Sequence, residues 1–293
     1  MIFEGKYING EKNGKGKEYN YYGKLFFQGE FVNWEKLKGK IYNYSYDGIL
    51  EFECEYLNGE KNGSFREYYR NKQLKFEGEY LNDIIWNGKG FDLNGNMKYE
   101  LNNGKGKIIE YNEDGILEFE GEYLNGKRNG KGKEYYRNKQ LKFEGEYLNG
   151  DRNGKGKEYY KNGKLKFEGK FLNDKKWNGE NYDLNGHLLF ILKEGKGNIK
   201  EYDEDGYLEF EGEYINGDRN GKGKEYDGDG NLLFEGEYKN GNKNGRGKKY
   251  DKYGNLVFEG EYLDDDKNGK GKEYDKYGNL IFEGEYLDNK KLI

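Results

Sequence analysis

The chain has 293 residues and a formal net charge of −5, and it is 37% charged, 17% aromatic and only 33% hydrophobic, with 48 glycines and no proline. So little apolar material excludes a thick globular core, and a charge balance this close to neutral offers no basic face for nucleic acid. High charge with low hydrophobicity would by itself suggest disorder. Here lysine and glutamate are matched and the apolar residues are mostly large rings in register, which suits a single-layer sheet of repeats.

The pattern begins at the first residues. Phe3-Glu4-Gly5 opens an alternation of ring, glycine and ring with charged residues, the period of a strand with one aromatic and one charged face. Nothing in MIFEGKYING has the basic-then-apolar order of a signal peptide, and no apolar run is long enough for a membrane helix. The same position recurs at Phe27, Phe52, Phe76, Tyr99, Phe119, Phe143, Phe167, Phe190, Phe210, Phe234, Phe258 and Phe282, which makes thirteen copies, most of them 24 residues apart. Val32 to Leu50 is divergent, with Trp34, Tyr42, Tyr44 and Tyr46. Cys54 occupies a glycine slot and is expected to be a small buried thiol. One cysteine permits no internal disulfide, so a reducing, cytoplasmic setting is expected.

Two intervals are short, 23 residues from Phe76 to Tyr99 and 20 from Tyr99 to Phe119. The same pair recurs from Phe167 to Phe190 and from Phe190 to Phe210, so a unit of 91 residues is duplicated. Trp86 maps to Trp177, Asp92 to Asp183, Gly115 to Gly206 and Phe119 to Phe210. In the short copies the first strand is cut, and the narrower hairpins are expected to notch or bend the sheet at two places. Trp86 and Trp177, just before each narrowing, are expected to pack over the missing width.

The segment Phe143 to Leu165 represents the rest. Asn149-Gly150-Asp151-Arg152 is turn chemistry, and Asn162-Gly163 reads as a type I′ turn. Placing Leu148 opposite Asn153 sets Glu144 against Lys157 and Gly145 against Gly156. The next turn sets Lys157 against Glu168 and Phe171 against Gly154. Glycines then leave room for rings to lie over the backbone. This register puts Glu158 on the aromatic face beside Phe143 and Phe167, and a bulge at Glu158-Tyr159-Tyr160 would relieve that. At the C-terminus, Lys290-Lys291 is expected to blunt an open sheet edge. The fold class is all-β: one elongated, twisted, single-layer antiparallel sheet of about 25 strands, continuous over residues 1–293.

The recurring ring-Gly-ring, Asn-Gly and Gly-Lys-Gly at 23–24 residues resembles the MORN repeat family. Asn153 to Lys170, NGKGKEYYKNGKLKFEGK, is especially similar to the variant found in bacterial antitoxin-like proteins. The resemblance covers essentially the whole chain and implies hairpin arrays that act as scaffolds in protein contacts, dimerisation or membrane-associated assemblies. It brings no catalytic residue.

Other motifs read as structure. The Gly126–Gly132 string lacks the Ser/Thr and helix of a phosphate loop, and Asp227–Asn231 lacks the acidic twelfth position of a calcium loop. His187 is the only histidine and has no metal or triad partners. Paired carboxylates such as Glu144 and Glu146 repeat on a flat, lysine-matched face, unlike a glycosidase cleft. The aromatic face remains. Its rings either stack on one another as the core or stay available to a partner, and the two readings are compatible. The expected function is a non-enzymatic scaffold without cofactor or metal. It would bind a protein partner through Tyr123, Phe143, Tyr147, Phe167, Phe171, Trp86 and Trp177, or dimerise by an edge or face. The alternatives are an antitoxin-type protein neutralising a toxin and a peripheral lipid-associated scaffold. Matched charges argue against the latter.

Overall fold

The computed structural model describes residues 2–292, and these form 26 strands and no helix. The strands fall into three antiparallel sheets in which neighbours follow chain order. They run from Ile2–Ile8 to Met97–Leu101, from Gly106–Tyr111 to Leu188–Leu192, and from Gly197–Tyr202 to Lys290–Leu292. The breaks fall at the two short copies, where only the isolated bridges Asn102–Lys105 and Lys193–Lys196 form. Lys290–Leu292 is the strand beyond the expected number: rather than only blunting an edge, it pairs with Leu280–Leu287.

The chain divides into two compact units, residues 1–139 with 147–150, and residues 140–146 with 151–293. In the first, Cys54, Phe65, Phe76 and Tyr80 form a buried cluster. Here the usual glycine pair is replaced by Cys54 opposite Phe65. In the second, Phe210, Phe234, Tyr238, Phe258, Tyr262 and Tyr286 form the corresponding cluster.

The expected register holds in the body of the strands. Lys157 faces Glu168, Gly154 faces Phe171, and Glu158 faces Phe167. Both turns differ from the reading. Asn149-Gly150 is itself the tight two-residue turn, with φ of 53° and 108°. In the equivalent hairpin Leu124 accordingly pairs with Lys127, and a bulge between Gly121 and Tyr123 takes up the slack. Asn162-Gly163, in contrast, sits in a longer turn closed by Tyr160 N–H to Lys164 O at 2.9 Å and Gly163 N–H to Tyr160 O at 2.8 Å. The compensating shift lies between Glu158 and Tyr159. Two Asn-Gly pairs in one copy thus take different turns, and bulges restore one register.

The 91-residue correspondence extends to single contacts. A Cβ at Gly115 would strike Leu93, and one at Gly206 would strike Leu184. Arg70 N–H donates to Glu113 O at 3.2 Å, and Lys161 N–H to Glu204 O at 2.9 Å.

Candidate interaction surface

The aromatic side is built by folding each ring over the glycines beside it. A Cβ at Gly156 would lie 2.7 Å from Cε2 and Cζ of Phe143 and 3.1 Å from Cε2 of Phe171, so only glycine fits between the two rings. The rings then meet edge to face: Phe143–Phe171 at 5.1 Å, Phe167–Phe171 at 5.0 Å, Phe119–Tyr147 at 5.4 Å. Each such pair contributes about 1 kcal/mol beyond its buried area.

Glu158 stays on this side despite the bulge, and cations explain why it is tolerated. Arg152 and Lys176 lie over Phe143 and Phe167, 4.2 and 5.1 Å from the ring centroids. Both also reach Glu158, at 3.9 and 2.7 Å. Burial alone would raise the Glu158 carboxyl, but Lys176, Lys166 and Arg152 overcome it and hold the group at about 2. The arrangement recurs. Glu18 takes Lys12 and Lys36, Glu225 takes Arg219 and Lys243, and Glu273 takes Lys267 and Lys291. The sequence reading missed this ladder. Its signal is a Lys or Arg six residues before and eighteen after each such glutamate.

Of the seven residues expected to meet a partner, Phe143, Phe167 and Phe171 are at most 1% exposed and Tyr147 is 4% exposed. They are core, and what this side presents outward is the cation–carboxylate ladder above them. Tyr123 is half-buried with its hydroxyl on Glu110. Trp86 and Trp177 are half-buried and do sit at the narrowings, as expected. Gly104 N–H donates to Trp86 O at 2.6 Å, and Gly195 N–H to Trp177 O at 2.8 Å. The Trp86 ring also lies against Gly104. Rings that remain exposed stand at turn tips instead, such as Tyr21, Tyr46, Tyr253 and Tyr277.

On the opposite face of the second unit, a groove of about 1480 Å³ runs across the last strands. Its walls carry Glu211, Glu235, Glu259 and Glu283 against Lys224, Lys248 and Lys272, with glycine backbone as floor. Lys272 reaches Glu283 at 3.2 Å, and Lys200 reaches Glu211 at 3.4 Å. Such half-exposed pairs contribute little to stability and are free to exchange partners.

The remaining motifs take structural roles. The Asp227 carboxylate accepts the N–H groups of Asp229 and Asn231 at 3.0 and 2.8 Å, closing a turn. Asp183 does the same for Asn185 and His187, at 2.8 and 2.9 Å. Cys54 is buried, which pushes its thiol up to about 11 and away from nucleophilic use. Among the described residues no cluster of His, Cys, Asp and Glu could hold a metal ion.

The MORN repeat model matches residues 3–20, 119–140, 210–232, 234–252 and 258–278. The MORN repeat variant model matches residues 61–82 and 152–173. No curated protein matches the chain. Among solved structures, the TcdB2-TccC3 crystal structure is 11% identical with a TM-score of 0.21, over 96% of this chain and 20% of that one. A Photorhabdus luminescens Tc holotoxin pore is 13% identical with a TM-score of 0.20, over 94% and 18%. The chain thus spans about a fifth of the solved chains it matches.

Proposed function

This chain belongs to the MORN repeat family, and from that membership we propose that it is a non-enzymatic scaffold that binds a protein partner. The observation that carries the proposal is the groove of matched Lys and Glu rows, repeated at every second strand of the second unit. Regular rows of exchangeable ion pairs offer an extended partner many equivalent contacts, and mixed signs favour a partner with mixed charge over nucleic acid or anionic lipid. The buried rings serve this surface by holding the strands that present it.

The test is affinity purification of the tagged chain beside a Lys224→Glu, Lys248→Glu, Lys272→Glu variant with an unchanged circular dichroism spectrum. A protein that co-elutes with the parent, weakens with salt and is lost from the variant supports the proposal. A partner retained equally by both places the contact elsewhere. Turnover of a substrate by the purified chain would end the non-enzymatic reading.

A further inference from the structure

The second narrowing encloses a cavity of about 340 Å³ on the aromatic side of the second unit. Phe190, Leu192 and Ile199 supply apolar wall, and Asn181 and Lys166 supply nitrogen. Asn181 is only 6% exposed and its amide nitrogen has no hydrogen-bond partner. Among the described residues Lys166 makes no direct ion pair: it reaches the Asp203 carbonyl at 3.4 Å, lies 5.5 Å from the centroid of the Tyr160 ring, and stands in the field of Glu158 and Glu209. Of the other charges at the cavity, Glu209 lines the wall without an ion pair to any described residue, whereas Lys175 is held by Asp218 at 2.6 Å and Lys200 by Glu211 at 3.4 Å. Lys176 is held by Glu158 at 2.7 Å and Glu201 by Arg219 at 2.9 Å. The unused bonding capacity is therefore the Asn181 amide nitrogen beside an apolar wall, with the half-buried Lys166 amine next to it. A buried donor without a partner is costly, and a cavity that carries one is not one that stays dry and empty.

The sister site in the first unit gives the contrast. Gly90 stands where Asn181 does, and the Tyr99 ring lies so close over it that a Cβ would strike Cζ and the hydroxyl. The donor is absent there and a ring covers its place. Exchanging glycine for asparagine and tyrosine for phenylalanine puts an unpartnered donor beside a cavity in the second copy.

We propose that this cavity binds a small monocarboxylate with a flat apolar body, its carboxylate received by Asn181 and Lys166 and its body against Phe190, Leu192 and Ile199. A charge-assisted bond to lysine accounts for the preference for a carboxylate over a neutral ligand. Burial pushes the Lys166 amine below its ordinary range, and an arriving anion would raise it again.

The probe is benzoate, with benzyl alcohol and acetate as controls, read by calorimetry and saturation-transfer NMR on the full chain. Benzoate should bind at least about tenfold more tightly than either control. The Asn181→Gly, Phe190→Tyr variant, which copies the sister site, should lose that binding. Lys166→Met should erase the preference over benzyl alcohol. Benzoate binding no tighter than benzyl alcohol, or unchanged in the copied-sister variant, overturns the proposal. The first comparison needs only the parent chain, so it stands even where a variant fails to fold.

Discussion

The two copies of the 91-residue unit hold the same carboxylate in opposite ways. In the second, Glu158 lies between Arg152 and Lys176 and is held ionised. In the first, the equivalent Glu67 has Lys61 behind it, but Ile85 stands in the slot of Lys176. Lys61 lies over the Phe52 and Tyr80 rings, at 4.8 and 5.2 Å. Burial wins there, and the Glu67 carboxyl is pushed above its ordinary range despite Lys75 and Lys61. The backbone plan is indifferent to this difference, since Phe76 faces Glu67 just as Phe167 faces Glu158. What the comparison teaches is that ring-over-glycine packing sets the fold. The residue eighteen places further on decides the charge state buried within it.

The largest way to break the comparison is Lys176→Ile, which makes the second copy like the first. Removing one partner of a buried pair should lower stability by on the order of 3 kcal/mol, read as a lower urea midpoint. A loss below about 0.5 kcal/mol would mean that Glu158 does not depend on its second cation. Next is Gly90→Asn. Its side chain has no room beneath Tyr99, and overpacking should cost about 1–3 kcal/mol. Asn181→Gly should cost less than that, because it removes an amide without a partner. Equal costs in the two copies would erase the distinction between them.

A gain is expected from Ile85→Lys, about 1 kcal/mol at neutral pH, because it supplies Glu67 with the missing cation. That gain should shrink as acid protonates Glu67. The last comparison is the pH slope of the parent chain. The Glu158 and Glu273 carboxyls are depressed from 4.5 to about 2 in the folded state. Their stabilisation is therefore present above the ordinary carboxylate range and is lost as pH falls from about 4.5 towards 2. Thermal melting at pH 6, 4 and 2.5 should fall in that order, and less steeply for Lys176→Ile.

Much of this architecture was legible because the repeats are in phase. Ring, glycine and ring at alternate positions fixed which face Phe143 and Phe171 occupy, and the two short intervals marked where the sheets break. The turns were less legible. Asn-Gly has the conformational freedom for more than one tight turn, and only the strands around it decide which one forms. The ladder escaped because Arg152 and Lys176 look like turn-proximal surface charges until the pairing brings them over the rings. The cavity escaped as well, since it arises from what Asn181 displaces.

The most direct measurement is carbon-detected NMR titration of the glutamate carboxyls, assigned through Glu158→Gln and Glu67→Gln. The account predicts that Glu158 titrates near 2 and Glu67 above the ordinary glutamate value of 4.5. If both titrate near 4.5, the glutamates face water, and the cation-capped aromatic side described above is wrong.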